Sequence, residues 1–342
     1  MPAVCGGANC PTADDGRFEL PPAGPAWAGS LMGTAAAGSI VRMHGERLGG
    51  GVGQFMVGLS GVFGVAAVVI AAVVVIGWLR FHKPGFAVSS MAGWSMLGMG
   101  VILTGALTTT LTHNWVYHGA GWVVGTVICL AAFVRALPVL KSDMVFTTLL
   151  PIVCPIVPAT AGAQWIGSGT LGSSAETVVW SVAALSFVAS VLAAVPQFPR
   201  VYRRMARSGV PAQSAATAWV PLGIMGQSVA AAQLLAGRRE WDTAALYFGA
   251  IMLAAAAPLA LYALYTHWRA VPQWPTYNPT WWSATFPLAT LSLGSHLLGQ
   301  MHHAAWLDSV SAVLMVLLVI NWTLAAAAAV VAAFSGRYAI KA

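Results

Sequence analysis

The 342-residue chain is 58% hydrophobic and only 7% charged, and it carries a formal net charge of +7. Soluble domains carry roughly 25% charged residues, so this composition excludes a water-soluble fold and predicts an integral membrane protein. The four cysteines form no CxxC pair and no Cys/His cluster, so the sequence indicates neither a disulfide framework nor a metal site.

The first 22 residues are rich in Pro, Gly and Ala. They lack the basic and apolar stretches of a signal peptide, and we expect 1–22 to form a disordered cytoplasmic tail. Ten apolar stretches follow, each near the ~20 residues that a membrane-crossing helix needs. The predicted spans are 24–42, 54–79, 87–112, 117–138, 146–167, 175–198, 211–236, 243–268, 281–301 and 306–335. The pattern predicts an all-α polytopic membrane protein with one transmembrane domain over 23–336 and a short cytoplasmic tail over 337–342.

Basic residues predict the orientation, because cytoplasmic loops of membrane proteins carry an excess of Lys and Arg. If the N-terminus is cytoplasmic, twelve basic residues lie on that side: Arg17, Arg80, Lys83, Arg135, Lys141, Arg200, Arg203, Arg204, Arg207, Arg269, Arg337 and Lys341. Four lie on the other side: Arg42, Arg47, Arg238 and Arg239. We therefore expect a multi-pass protein of the cell membrane with both termini in the cytoplasm. The run Arg200–Arg207 is then a topology signal at the membrane surface, with lipid headgroups as an alternative partner, and no nucleic acid is implied.

The odd-numbered and even-numbered spans differ in composition. The odd spans hold small or helix-breaking residues, namely Gly29, Gly33, Gly38, Gly93, Gly98, Gly100, Gly105, Pro151, Pro155, Pro158, Pro221, Gly223, Gly226, Pro287 and Gly294. A proline removes a backbone hydrogen bond that lipid cannot replace, and small residues let helices approach closely. We predict five helical hairpins, with the odd helices in an inner ring and the even helices in an outer ring. The alternative is the ordinary enrichment of Gly and Pro in membrane helices.

Four motifs in the odd spans resemble one family of membrane proteins. They are LPPAGPAWAGSLMGTAAAGS in span one, PIVCPIVPATAGA in span five, AWVPLGIMGQS in span seven and TWWSATFPLAT in span nine. Together and in this order, they resemble the tellurite-resistance/dicarboxylate transporter family, which includes plant slow anion channels, malic acid permeases and sulfite efflux pumps. The resemblance implies five hairpins around a pseudo-fivefold axis, a pore lined by the odd helices in each subunit, and a homotrimer.

The resemblance also gives Phe286 a role as the pore gate. In channel members of the family, a phenylalanine of the ninth helix projects into the pore and blocks it, and Phe286 matches that position. Pro287 would be the gate hinge, because it leaves the Ser283 carbonyl without its helical partner. The alternative is a packing phenylalanine beside a common proline kink. Trp281 and Trp282 are interpreted as interfacial belt residues, which places Phe286 toward the cytoplasmic side, whereas the family comparison places the gate nearer the middle.

The other candidate pore-lining residues are Gly33, Gly98, Pro155, Pro158, Pro221, Gln227 and His296. Backbone N–H groups exposed at the prolines would attract anions without a tight charged site. Gln227 is equally well explained by a hydrogen bond to a neighbouring helix. His296 is either a pore residue that gains charge at low pH or a packed, hydrogen-bonded histidine. Arg42, followed by His44 and Arg47, is either interfacial or part of an anion-collecting ring.

The candidate residues favour transport over catalysis. No acidic or basic residue lies at the middle of a predicted span, which argues against a proton or sodium relay. The spans hold no paired carboxylates and no GxSxG motif, so we expect neither an enzyme nor a cofactor. We predict a passive or weakly coupled anion pathway whose partners are small inorganic or carboxylate anions and the lipid bilayer. The alternative is a coupled exporter or permease for malate, sulfite or tellurite.

Overall fold

The computed structural model describes residues 17–80, 85–141, 145–237 and 240–340. Within these residues, the α-helices are α1 (Ala28–Leu48), α2 (Gly50–Arg80), α3 (Met91–Thr112), α4 (Trp115–Ala136), α5 (Leu150–Val153), α6 (Ile156–Gly167), α7 (Ser173–Ala194), α8 (Phe198–Ser208), α9 (Val220–Ala236), α10 (Asp242–Ala270), α11 (Thr285–Met301) and α12 (Ala305–Phe334). Strands β1 (Phe18–Leu20) and β2 (Tyr338–Ile340) lie at the two ends of the described chain.

Most of the predicted spans correspond to helices that suit a membrane. Eight helical segments of the described chain are long and apolar enough to cross one: Gly50–Arg80, Val88–Thr112, Trp115–Ala136, Phe146–Gly167, Ser173–Ser208, Ala212–Ala236, Asp242–Gln273 and Ala305–Phe334. The other two predicted spans are α1 and α11, whose residues are mostly buried inside the bundle. Protein rather than lipid surrounds these two helices, so they can be shorter or more polar. The predicted all-α polytopic fold is confirmed.

Consecutive helices form five hairpins, α1–α2, α3–α4, α6–α7, α9–α10 and α11–α12. The first members also contact one another in a closed cycle, from α1 through α3, α5 with α6, α9 and α11 back to α1. Burial follows this order. In the inner segments Phe146–Gly167 and Ala212–Ala236, 89% of an apolar 18-residue stretch is buried inside the protein. The corresponding share is 22% to 28% in the outer segments that contain α2, α7, α10 and α12. The predicted inner and outer rings are therefore confirmed, although α3 and α4 are equally buried at 44%.

Each inner helix is preceded by a 3-10 segment at the same end of the bundle. These segments are Pro25–Trp27, Val88–Ser90, Phe146–Leu149, Ala212–Trp219 and Pro279–Ala284. A proline stands in the first turn of α5, α9 and α11, where backbone N–H groups have no partner within the helix. Span nine thus begins at Pro279, two residues before the predicted start. Because a 3-10 segment rises about 2.0 Å per residue rather than 1.5 Å, Phe286 lies deeper than the predicted boundary implied.

The two short strands join the ends of the chain, which the sequence did not predict. β1 and β2 pair in parallel, with Phe18 opposite Tyr338, and the rings of these two residues are 5.6 Å apart. Leu20, the last residue of β1, is buried. Residues 1–16 and 341–342 of the predicted tails lie outside the described residues. The remaining parts of both predicted tails contain the strand pair, which we call the terminal clasp.

The basic run that follows α7 forms a separate amphipathic helix, α8. Its buried face carries Phe198, Val201 and Met205, and its exposed face carries Arg200, Arg203 and Arg207. This division suits a helix that lies along a membrane surface. Four other basic residues used to predict the orientation lie outside the described residues, namely Lys83, Arg238, Arg239 and Lys341.

Candidate functional site

A central cavity lies at the end of the bundle that carries the 3-10 segments. It is small, with a volume of about 20 Å³, which is room for roughly one water molecule. All five inner spans contribute to its lining: Gly29, Met32, Met96, Met99, Leu150, Val153, Val220, Pro279, Trp282, Ser283, Phe286 and Pro287. Within the described chain, none of the lining residues comes from an outer helix and none is charged. The cavity is therefore an apolar chamber inside the inner ring.

Phe286 lies at this cavity as the second residue of α11, and it is only 4% exposed. Its ring faces Gly223 of α9, because a Cβ added at Gly223 would lie 3.4 Å from both Cδ1 and Cε1 of the ring. The same added atom would lie 3.6 Å from Cγ of Pro287. Gly223 thus leaves room for the aromatic ring against the α9 backbone. It belongs to the AWVPLGIMGQS motif, but nothing in that motif distinguishes it from its neighbours as a site residue.

Gly33 lies beside the cavity, at the contact between α1 and the start of α11. A Cβ added there would overlap the hydroxyl of Thr285 and lie 3.3 Å from the Trp282 ring. The Thr285 hydroxyl donates to the Trp282 carbonyl at 2.7 Å, which fixes the junction between the 3-10 segment and α11. Gly33 therefore sets how closely α1 approaches the segment that carries Phe286.

Two of the predicted pore prolines lie near the break in span five, Pro155 between α5 and α6 and Pro158 as the third residue of α6. Pro155 cannot donate to the Pro151 carbonyl, and the Cys154 thiol donates to that carbonyl instead at 3.2 Å. The Pro158 carbonyl accepts from Nε1 of Trp122 on the outer helix α4 at 2.9 Å. Protein groups therefore occupy these backbone carbonyls. Pro221 is different, because it stands in the first turn of α9 and breaks no bond within that helix.

Gly98 and Gln227 differ in the direction that they face. A Cβ added at Gly98 would lie 2.8 Å from the Cys129 sulfur, so Gly98 packs against the outer helix α4 rather than at the cavity. Gln227 follows Gly223 by one helical turn and therefore lies on a similar face of α9. Gln227 is 3% exposed, and no hydrogen bond of its side-chain amide is found within the described residues. Its backbone carbonyl accepts from the Thr160 hydroxyl of α6 at 3.3 Å.

A polar cluster occupies the opposite end of the inner ring, where α1 and α11 end and α12 begins. Asp308 of α12 accepts hydrogen bonds from Arg47 at 2.5 Å, from Gln300 at 2.9 Å and from Nδ1 of His296 at 2.9 Å. Behind it, His44 contacts two serine hydroxyls. We call the seven residues Arg47, His44, Ser292, His296, Gln300, Asp308 and Ser311 the Asp308 cluster. His296 is thus hydrogen-bonded to α12, which agrees with its interpretation as a packed, hydrogen-bonded histidine.

The Asp308 cluster also explains why α1 is longer than its predicted span. Arg47 forms a two-contact ion pair with Asp308, and Nε of Arg42 lies 2.8 Å from Oε1 of Glu46. Both arginines are therefore paired with carboxylates, which does not support the anion-collecting ring considered from the sequence. The sequence could not reveal these pairs, because Asp308 follows Arg47 by 261 residues.

The adjacent tryptophans of span nine are buried rather than part of an interfacial belt. Trp281 and Trp282 are each 5% exposed, which corrects the interpretation from the sequence. Nε1 of Trp282 donates to the Tyr277 hydroxyl at 3.2 Å, and the Tyr277 backbone N–H donates to the Tyr338 hydroxyl at 3.0 Å. Burial raises the pKa of the Tyr277 phenol. This chain of contacts links the terminal clasp to a residue that lines the cavity.

The two helical rings and the uncharged cavity inside them define a polytopic membrane protein of the channel or transporter class. A family model described as voltage-dependent anion channel matches residues 23–330, which is nearly the whole chain. The chain therefore belongs to the voltage-dependent anion channel family, and the resemblance seen in the four motifs is confirmed. Members of this family are membrane channels and transporters of anions. None of the curated proteins compared with the chain matches it.

Proposed function

We propose that the chain conducts small anions passively through the inner ring, and that the Phe286 ring closes this path. One observation carries the proposal: Phe286 lies at the cavity to which all five inner spans contribute. Methionine, leucine and valine side chains surround the same cavity. A narrow apolar gap excludes water and is a barrier to ions. If the Phe286 side chain moved away from Gly223, the cavity would open toward the space between the other turns of the inner helices.

The absence of charge near the gate favours passive conduction. An ion must enter a conducting pore but must also leave it, so tight binding inside the pore slows the flux. The described cavity-lining residues include no charged side chain. The charged residues of the described inner helices are Arg42, Glu46 and Arg47, and all three lie in the last two turns of α1. The alternative is a coupled exporter or permease for malate, sulfite or tellurite, which would need a driving gradient.

Anion flux in proteoliposomes tests the gate. We expect Phe286→Ala to raise chloride and nitrate flux about tenfold or more, which corresponds to a barrier lower by about 1.4 kcal/mol. Phe63→Ala is the matched control, because Phe63 is also 4% exposed but packs on Trp322, with ring centroids 4.9 Å apart, away from the cavity. Equal flux in wild type and Phe286→Ala would refute the gate. Wild-type flux that requires a proton gradient would instead refute passive conduction.

We propose in addition a homotrimer in the cell membrane with both termini in the cytoplasm. The family resemblance supports the trimer. The orientation is supported by basic residues at the end of the bundle that carries the 3-10 segments. They lie in the last turn of an outer helix or shortly after it, and they are Arg80, Arg135, Arg200, Arg269 and Arg337. The mass of the complex in lipid nanodiscs tests the trimer. Protease accessibility of tags at both termini in sealed vesicles tests the orientation.

A further inference from the structure

The Asp308 cluster joins one outer helix to two inner helices, opposite the cavity. Asp308 stands in the first turn of α12. Its carboxylate accepts from Arg47 of α1 and from His296 and Gln300 of α11. Because α11 also carries Phe286, the cluster holds both the helix of the proposed gate and its neighbour α1 in the ring.

The contacts of His296 determine where a proton can be added. A carboxylate can only accept, so Nδ1 of His296 carries the hydrogen that it donates to Asp308 at 2.9 Å. Its Nε2 has no hydrogen-bond partner among the residues that the structure describes and is free to bind a proton. The side chains of His296 and Arg47 are 17% and 43% exposed, so solvent reaches this part of the cluster.

His44 provides a second position for a proton. The Ser292 and Ser311 hydroxyls donate to each other's backbone carbonyls at 2.9 and 2.8 Å. The two hydroxyls also lie 2.9 Å apart. When both serine hydrogens go to the backbone carbonyls, Nε2 of His44 donates to the Ser311 hydroxyl oxygen at 3.0 Å. Nδ1 of His44 is then the nitrogen that can take another proton. The His44 and His296 rings are 6.2 Å apart, so their charges would act on the same end of the inner ring.

We infer that the Asp308 cluster is a proton-binding site, and that protons on His44 and His296 raise anion flux. This inference rests on the anion pathway proposed above. With both histidines neutral, Asp308 and Arg47 balance each other and the cluster has no net charge. Each bound proton adds a positive charge at this end of the ring, and a positive potential raises the local concentration of anions. Because a histidine ring gains its proton as the pH falls, flux increases in acid.

Few other titratable groups in the described chain are placed to interfere. On α1, Arg42 and Glu46 form their own pair. The described parts of α3 and α9 contain no charged residue, and α2 has Arg80 at its far end. His302 follows α11 and pairs through Nε2 with Gln233 of α9 at 3.0 Å. On α10, Asp242 lies near Gly237 rather than the cluster.

Flux at two pH values tests the inference. We compare proteoliposome chloride flux at pH 7.5 and 5.5, with the acid applied to each side in turn, for wild type and the double variant His44→Gln with His296→Gln. Glutamine keeps a donor for the Ser311 and Asp308 oxygens but does not titrate. We expect wild-type flux to rise at least about threefold in acid on one side, and the double variant to change by less than about 1.5-fold. His302→Gln is the control and should behave as wild type.

A second measurement separates this inference from the proposed pathway. The ¹⁵N NMR signals of ring-labelled histidine in the purified protein should show that His44 and His296 gain protons as the pH falls, and both signals should disappear in the double variant. If neither wild type nor Phe286→Ala passes anions, the pathway fails, and the NMR titration still tests proton binding. An acid response that persists in the double variant overturns the inference, as does flux that ignores pH or the absence of any titration.

Discussion

The two ends of the inner ring are built from different interactions. At the cavity end, aromatic and aliphatic side chains rest on glycines, and the contacts of Phe286 with Gly223 depend on shape. At the other end, Asp308 gathers three donors from two helices. Packing contacts change little with pH or salt, whereas the Asp308 cluster holds charge and titratable rings. The difference is consistent with the proposed division of labour, in which one end would close the path and the other would respond to solution conditions.

The largest expected effect comes from the packing between α9 and α11, one turn beyond the proposed gate. A Cβ added at Gly226 would lie 2.6 Å from the Thr290 carbonyl oxygen, so Gly226→Ala must push the two helices apart. We expect the free energy of unfolding to fall by about 3 kcal/mol. Chemical unfolding in detergent measures it. Gly58→Ala is the control, since nothing lies within 4 Å of the added atom, and it should be neutral or stabilise by up to about 1 kcal/mol.

Gly226→Ala also sharpens the comparison between the two ends. If the cavity end depends on close packing, the variant should also alter anion flux, because the displaced α11 carries Phe286. The pH dependence of the remaining flux should be retained, because the substitution replaces no residue of the Asp308 cluster. A variant with normal stability and a lost acid response would contradict the division between the two ends.

The next effect in size concerns the charge at the Asp308 cluster. Asp308→Ala leaves the donors of Arg47, His296 and Gln300 without their acceptor, and we expect a loss of about 1 to 2 kcal/mol in the free energy of unfolding. Asp308→Asn keeps one acceptor oxygen and should lose about half as much. These values are modest because Arg47 is 43% exposed, so water replaces part of the ion pair.

Glu46→Gln provides the control for this charge removal, because Glu46 pairs with Arg42 on α1 but its side chain is 55% exposed. Its effect on the free energy of unfolding should remain below about 0.5 kcal/mol. Thermal and chemical unfolding of the three variants in one detergent measure the series. Equal stability of Asp308→Ala and Glu46→Gln would show that the cluster does not hold α12 to the inner ring.

The two ends of the inner ring also differ in how far they could be predicted from the sequence. The cavity end is encoded locally, because TWWSATFPLAT and AWVPLGIMGQS each hold the residues that meet there within one short segment. The ten spans, the order of the rings and most span boundaries follow from apolar length and from Gly and Pro. The Asp308 cluster was not predictable, because His44 and Ser311 are 267 residues apart. The terminal clasp was missed as well, because three-residue strands give no periodic signal in the sequence.

The smallest expected effect concerns the terminal clasp, which adds polar contacts to the cavity end. Tyr338→Phe removes the acceptor of the Tyr277 backbone N–H but keeps the ring beside Phe18. We expect a loss of about 1 kcal/mol in the free energy of unfolding, measured by chemical unfolding. Flux should change less than about twofold, because Trp282 keeps its bond to the Tyr277 hydroxyl and the packing of Phe286 on Gly223 is unaffected. Tyr247→Phe, on the exposed side of α10, is the matched control. A rise in flux comparable to that of Phe286→Ala would mean that polar contacts at the chain ends, rather than packing, hold the path closed.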